Sequence, residues 1–517
     1  MAMSSDEEYG SDQMMSDDEL DADSLGELAG NLDSDYDNDA DDDQFLENMR
    51  DDKPQKPAYE VDYTTLSDAE LRNKQKEQVE DVRHILGQPV EQTAILLRYF
   101  KWQKERLIDK YMDDPDKVLE DAGLGAEWND DPKLEKVRGF SCDICCDDDA
   151  EMNTYSMRCG HRYCADCYKQ YLENKIMSEG ESGRIQCPTD GCSRIVDSKT
   201  VRLLASPKVL ARYGELLNRT YVDDKPNLRW CPAPECEFAV DCAVRQTELH
   251  KIIPTVVCNC GLRFCFGCGH NDHQPCPCAL MKKWLKKCED DSETANWISA
   301  HTKECPKCVS TIEKNGGCNH MTCRKCKHEF CWVCMGPWSE HGTNWYNCNR
   351  FEEKSGEEAR GQQAKSRASL ERYLHYYNRY ANHDHSAKLD KDLYVKTEKK
   401  MTSLQSSSGM SWIEVQYLEA ASTALQQCRQ TLKWTYAFAF YLQRNNDTYI
   451  FEDNQRDLEM AVEQLSELFE KPADQLAASR KEMVDKTAYV GHRRRILLED
   501  TANGLRDERW QFTTDIR

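Results

Sequence analysis

The chain has 517 residues, with 68 Lys and Arg against 93 Asp and Glu, a net charge of −25. No run reaches the roughly 18 consecutive apolar residues that a membrane helix needs, and the N-terminus opens acidic, without the basic and apolar stretches of a secretory signal. So acidic a chain also argues against a nucleic-acid binder, which works through a basic surface, and the expected location is the cytoplasm, with the nucleus as a second site.

Residues 1–57 read as an acidic, disordered tail. Residues 1–52 hold twenty Asp or Glu and one basic residue, Arg50, too little apolar surface to offset the entropy of ordering. The tail suits either docking to a basic partner or simple solvation. Residues 58–135 predict a three-helix bundle. Ser67-Asp68-Ala69-Glu70 has the form of a capping box. Val79, Val82 and Leu86 follow at helical spacing, and Gly87 and Pro89 stop the helix. Ala94, Leu97 and Phe100, then Trp102, then Leu107, Ile108 and Tyr111 supply the remaining apolar faces.

Twenty-six of the 27 cysteines lie between Cys142 and Cys348. Many form Cys-x2-Cys pairs with interleaved histidines, the spacing of structural zinc sites, and a reducing compartment disfavours a disulfide framework. Residues 138–200 hold Cys142, Cys145, Cys159, His161, Cys164, Cys167, Cys187 and Cys192, in the order of a RING finger. That order pairs Cys142 and Cys145 with Cys164 and Cys167, and leaves Cys159, His161, Cys187 and Cys192 for a second ion. Residues 201–290 hold Cys231, Cys236, Cys258, Cys260, Cys265, Cys268 and His273, with Cys278 preferred over Cys276 as the eighth ligand. Cys242 and Cys288 are left as buried thiols.

Residues 300–350 hold one ligand more than two closed sites need. Cys305, Cys308, Cys323 and Cys326 make one set, and Cys331, Cys334, His341 and Cys348 the other. Cys318 is left over, in Asn315-Gly316-Gly317-Cys318-Asn319-His320. It is either a passive thiol or a nucleophile with an imidazole two residues away. Three groups of eight ligands, four per tetrahedral ion, predict six zinc ions.

Residues 355–517 predict an all-α domain. Ser403–Gly409 reads as a serine-rich loop, and Ser411-Trp412-Ile413-Glu414 as a second capping box. Ile413, Tyr417, Ala420, Ala424 and Cys428 fall on one helical face, and Trp434–Leu442 reads as a buried helix segment. The fold class is therefore multidomain: zinc-stabilised modules between an N-terminal bundle and a C-terminal helical domain.

The stretches Glu304-Cys-Pro-Lys-Cys308, Gly316-Gly-Cys-Asn-His-Met321 and Glu329-Phe-Cys-Trp-Val-Cys334 resemble the RING-between-RING ubiquitin ligases. Ser411-Trp-Ile-Glu-Val-Gln416 and Phe438-Ala-Phe-Tyr-Leu442 narrow the resemblance to the Ariadne subfamily. Leu96-Leu-Arg-Tyr-Phe-Lys-Trp102 looks like that subfamily's ubiquitin-associated-like domain. The resemblance implies a first RING at 138–200, an in-between-RING domain at 201–290, a catalytic second RING at 300–350 and an autoinhibitory Ariadne domain at 355–517. It also implies that Ile144 contacts a charged ubiquitin-conjugating enzyme. Cys318 would accept ubiquitin as a thioester, His320 would act as general base toward a substrate lysine, and Glu329 would orient His320. Implied partners are ubiquitin, the conjugating enzyme, protein substrates and a cullin-RING complex carrying a ubiquitin-like protein. The family often has a longer gap than Cys323-x2-Cys326, so the loop after Cys318 is expected to differ in shape.

Overall fold

A computed structural model describes residues 56–125, 133–149, 152–290, 302–314, 316–341, 348–351, 362–408, 412–471, 475 and 478–516. Almost all of the acidic tail lies outside them, as do Asn315 and Ser411, so the second capping box is not described.

Helix α1 (Asp68–Leu86) starts where the sequence places it. The Ser67 hydroxyl accepts the Glu70 N–H at 3.4 Å, and the Glu70 carboxylate accepts the Ser67 N–H at 2.7 Å, so two otherwise orphaned donors are satisfied. It ends at Gly87, whose φ of +68° few other residues adopt without strain. Helices α2 (Val90–Tyr99) and α3 (Lys104–Asp113) complete the expected three, and a short α4 (Pro115–Asp121), capped by Asp114, adds a fourth. Leu71, Val82, Leu96, Leu97 and Leu107 fill the core between them. Ahead of the bundle, strand Tyr63–Leu66 pairs antiparallel with Ala239–Cys242, whose other edge carries Leu228–Trp230. The chain entering the bundle is thus part of a sheet in the second cysteine-rich segment.

The first cysteine-rich segment folds around strands Leu134–Lys136, Asn153–Ser156 and Arg162–Cys164 and helix Ala165–Glu173. Helix Pro207–Asp224 leads on to the second segment. There a two-stranded sheet, Thr255–Val257 against Arg263–Cys265, precedes α5 (Cys278–Asp290). In the third segment, hairpin Thr302–Glu304/Thr311–Glu313 is followed by His320–Thr322 against Glu329–Cys331.

Four long helices close the fold: α6 (Gln362–Ser408), α7 (Trp412–Tyr441), α8 (Asn446–Glu470) and α9 (Arg480–Arg506). The expected loop over Ser403–Gly409 is incorrect: the backbone stays helical to Ser408. Serine lowers helix propensity by only a few tenths of a kcal/mol, not enough by itself to stop a helix. The expected apolar face of α7 is also rotated. Ala420 is exposed and Tyr417 and Ala424 are half-buried, whereas Leu418, Ala421, Leu425, Cys428 and Leu432 are buried. Leucine removes more apolar area from water than alanine, so the leucine stripe takes the core. No helix among the described residues is long and apolar enough to cross a membrane.

The α5 helix ties the second segment to this domain. Trp284 is fully buried, with ring centroids 5.8, 5.5 and 5.2 Å from Tyr373, Tyr380 and Phe440. Trp284→Ala should destabilise the helical core by about 3–5 kcal/mol. Urea unfolding followed by circular dichroism should show a lower midpoint, with metal content unchanged before the transition.

Candidate functional site

Five sets of four donors converge to within 4.8 Å. They are Cys142/Cys145/Cys164/Cys167, Cys159/His161/Cys187/Cys192, Cys231/Cys236/Cys258/Cys260, Cys265/Cys268/His273/Cys278 and Cys305/Cys308/Cys323/Cys326. In a sixth set, Cys334 Sγ lies 3.5 Å from His341 Nε2, and Cys331 and Cys348 converge with them. Cys276 is buried outside its set, so Cys278 is the donor placed with His273.

The donor sets fit zinc on distance. Sulfur pairs lie 3.8 Å apart for Cys145–Cys164, 3.7 Å for Cys236–Cys258 and 3.6 Å for Cys265–Cys278 and Cys305–Cys326. A tetrahedron with Zn–S bonds of ~2.3 Å has edges of about 3.8 Å, whereas a disulfide would be about 2.05 Å. Backbone geometry agrees. After Cys145, Cys308, Cys326 and Cys334 the next residue has a positive φ: Cys146 (58°), Val309 (56°), Lys327 (56°) and Met335 (63°). The amide of each donates back to the carbonyl of the first cysteine of its pair, at 2.7, 2.9, 2.8 and 2.9 Å. That tight loop turns both sulfurs to one point. Cys323-x2-Cys326 makes the same loop as the others.

Cys318 belongs to no donor set among the described residues. It is 3 % exposed. Its own domain supplies one contact, the His320 N–H to Sγ at 3.4 Å. The covering atoms come from the helical domain, where the Glu463 carbonyl accepts the thiol at 3.8 Å. Burial and the Glu463 carboxylate push the Cys318 thiol well above its ordinary pKa. An open cleft lined by Thr311, Gly316, His320, Met321, Arg324 and Glu470 reaches the sulfur from one side.

His320 opens strand His320–Thr322, and Glu329 opens its partner. The register pairs Thr322 with Glu329 and His320 with Cys331, so His320 and Glu329 are diagonal neighbours on one face. His320 Nε2 is 3.5 Å from a Glu329 oxygen, and Nδ1 is 3.9 Å from a Glu467 oxygen. The imidazole stacks on Trp338 at 4.4 Å and 8°, and Trp338 stacks on His341 at 5.1 Å and 12°. The last donor set therefore holds the imidazole in orientation through Trp338. Ile144, between Cys142 and Cys145, is 49 % exposed.

Over the loop of Cys318 lies a buried polar network that sequence reading missed. The Glu463 carboxylate accepts Asn319 N–H at 2.5 Å and Asn319 Nδ2 at 2.8 Å. Arg429, fully buried, donates to Glu463 at 2.5 Å, to the Gly317 carbonyl at 2.9 Å and to Asp390 at 3.2 Å. Burial works against the charge of both partners, yet Arg429 still holds Glu463 below the usual carboxylate range, and Glu463 and Asp390 hold Arg429 above its own. A Cβ at Gly316 would strike the end of the Glu470 side chain, and one at Gly317 would strike the Asp390 carboxylate. Cys318→Ala should leave zinc content unchanged, whereas Cys323→Ala should lose about one zinc per chain, both read by plasma emission on purified protein.

Family models match along the chain in a consistent order. They are described as an ARIH1 UBA-like domain (residues 73–113), a C3HC4-type RING finger (142–189), an IBR domain described as a half RING finger (211–278), a second IBR domain (300–350) and an Ariadne domain (371–489). The chain is 55 % identical over 461 residues to the Schizosaccharomyces pombe E3 ubiquitin-protein ligase dbl4, covering 89 % of this chain and 91 % of that one. It is 42 % identical to E3 ubiquitin-protein ligase ariadne-1 of Drosophila melanogaster, over 96 % of this chain and all of the relative. It is also 42 % identical to human E3 ubiquitin-protein ligase ARIH1, over 88 % and 82 %. With its zinc modules, unliganded cysteine and long-helix domain in that same order, the chain belongs to the Ariadne-type RING-between-RING ubiquitin ligases.

Proposed function

We propose that this ligase takes ubiquitin from a charged conjugating enzyme onto Cys318, passes it to a substrate lysine, and is held inactive by its own helical domain. The observation that carries the reading is the position of Cys318. It lies outside every described donor set, at the end of a cleft, next to an oriented histidine and beneath Glu463.

The conjugating enzyme binds the first RING at Ile144. The Cys318 thiolate attacks the thioester carbonyl carbon, a new C–S bond forms, and the conjugating enzyme leaves as its thiolate. This exchange depends mostly on proximity. The second step is harder, because a lysine amine with an ordinary pKa of ~10.4 is protonated at neutral pH. His320 takes the proton as the nitrogen attacks, Glu329 holds the imidazole, and the Cys318 thiolate leaves. Six zinc ions, one per donor set, supply no step of this chemistry. They fix the loops that carry it.

The inhibitory reading rests on the direction of the contacts. Asp390, Arg429, Glu463 and Glu470 all belong to the helical domain and all meet the loop Gly316–Asn319. A partner that favours the lifted form, such as a cullin-RING complex carrying a ubiquitin-like protein, would activate the enzyme by differential affinity. A partner worth fifty-fold needs only about 2.3 kcal/mol.

Cys318→Ala should abolish the reducible ubiquitin adduct. His320→Ala should let that adduct accumulate while slowing its discharge to lysine, both seen in single-turnover gels with and without reductant. If the adduct fails to form in His320→Ala, the base acts in the first step instead. Glu463→Ala removes one partner of a buried ion pair, a loss of about 3–5 kcal/mol. If half of it falls on closure, transfer to Cys318 should speed up more than tenfold. An unchanged rate, with zinc content intact, would mean the helical domain does not inhibit.

A further inference from the structure

Lys314 lies four residues before Cys318, in the same zinc module. It is 4 % exposed. Its ammonium donates to Asn319 Oδ1 at 2.8 Å, Ser386 Oγ at 2.9 Å and Asn382 Oδ1 at 3.2 Å. These three acceptors satisfy all three N–H donors, and none of them is a carboxylate. Burial lowers its pKa to about 8, with Glu463 and Asp390 acting against that at longer range. Lys314 interacts electrostatically with Cys318, and a buried ammonium held by neutral groups is expensive to keep.

The charges around Cys318 divide by domain. From its own module come Lys314 and His320, with Glu313, Arg324 and Lys325 along the cleft and Glu329 beyond His320. From α6 comes Asp390, against Gly317; from α7 comes Arg429; from α8 come Glu463 and Glu470, with Glu467 facing His320. The helical domain thus presents more carboxylates than cations. While closed, it balances the Lys314 charge and opposes ionisation of the thiol. When it lifts, Asp390, Arg429, Glu463 and Glu470 leave together. Ser386 and Asn382 leave with them, and Lys314 stays, tethered by its remaining acceptor Asn319, the residue that follows Cys318. A thiol attacks as its thiolate, and a nearby cation favours that form.

We propose that Lys314 is the charge that arms Cys318, and that the closed helical domain disarms the thiol by neutralising this lysine as well as by covering the sulfur. Opening then does two things at once: it exposes the nucleophile and leaves it beside an uncompensated ammonium. The proposal rests on the inhibitory reading above, and its test separates the two.

The full chain carrying Glu463→Ala, which opens the domain, is compared with the same chain carrying Lys314→Gln or Lys314→Met in addition. Iodoacetamide labelling of Cys318 is followed across pH by mass spectrometry of its peptide, with zinc content as the check on folding. The Glu463→Ala chain should label with a midpoint below the ordinary thiol value of ~8.5. Neutralising Lys314 should raise that midpoint by about one pH unit, leaving roughly tenfold less thiolate at pH 7. Uptake of ubiquitin from a charged conjugating enzyme should slow in parallel. Lys314→Arg, which keeps the charge, should restore the low midpoint. An unshifted midpoint in both neutral variants would overturn the role of Lys314 and leave the inhibitory reading standing. So would an Arg variant that behaves like the neutral ones with zinc intact, since that marks shape rather than charge. Failure of Cys318 to label at any pH in the Glu463→Ala chain would overturn the inhibitory reading itself, and this proposal with it.

Discussion

Thiolate-to-metal bonds carry the three cysteine-rich modules. Each is a few dozen residues long with short strands, and segments of that size bury too little apolar surface to fold alone. Tetrahedral coordination supplies the missing stability, on the order of 10 kcal/mol per site, and it imposes geometry. Four donors must meet at one point, so each Cys-x2-Cys loop turns back on itself through a left-handed residue such as Val309 or Lys327. The chain between such loops is fixed at both ends. Gly316–His320 is such a stretch, held between Cys308 and Cys323, two donors of one set, and it carries a cysteine outside that set. Coordination thereby presents Cys318 without a large core beneath it. It also orients His320, because Trp338 stacks between that imidazole and the ring of His341.

The helical domain meets this loop through polar contacts. Arg429, Glu463 and Asp390 are buried together with Asn319, Lys314 and Ser386, and they bond to one another and to the Gly317 carbonyl. Such a network is costly to bury and costlier to break in part. It favours one seating of the loop, and it loses much of its energetic advantage once water enters. An apolar seal of the same area would hold more tightly and discriminate less. The opposite end is different: Trp284 enters the aromatic core of the same domain from α5, an apolar join between the second zinc module and the long helices.

What the sequence could state and what it could not follows from the range of each interaction. Metal ligands were legible because a tetrahedral site needs defined donors at short spacing, and every expected donor among the described residues falls in a set. Cys318 stood out by subtraction, as the one ligand too many. The Ser67–Glu70 capping box and the Gly87 stop were legible for the same reason: donor and acceptor lie within one turn. The face of α7 was misread because alanine and leucine share a period but not an area, and burial follows area. The helix through Ser408 was misread because serine lowers helix propensity too little to end a helix by itself.

The sequence by itself determined the ligand sets, the spare cysteine, the neighbouring histidine and the order of the modules, all of them local in the chain or carried by resemblance. Only the tertiary structure decided what touches Cys318. Glu463, Arg429 and Asp390 lie 145, 111 and 72 positions along the chain from it, in helices whose charged residues look like any solvated face until the chain folds. No periodicity marks a carboxylate that will cap an asparagine in another module, or a lysine whose three acceptors come from two domains. Those contacts depend on how the long helices seat against the zinc loop, a three-dimensional fit that no local pattern encodes.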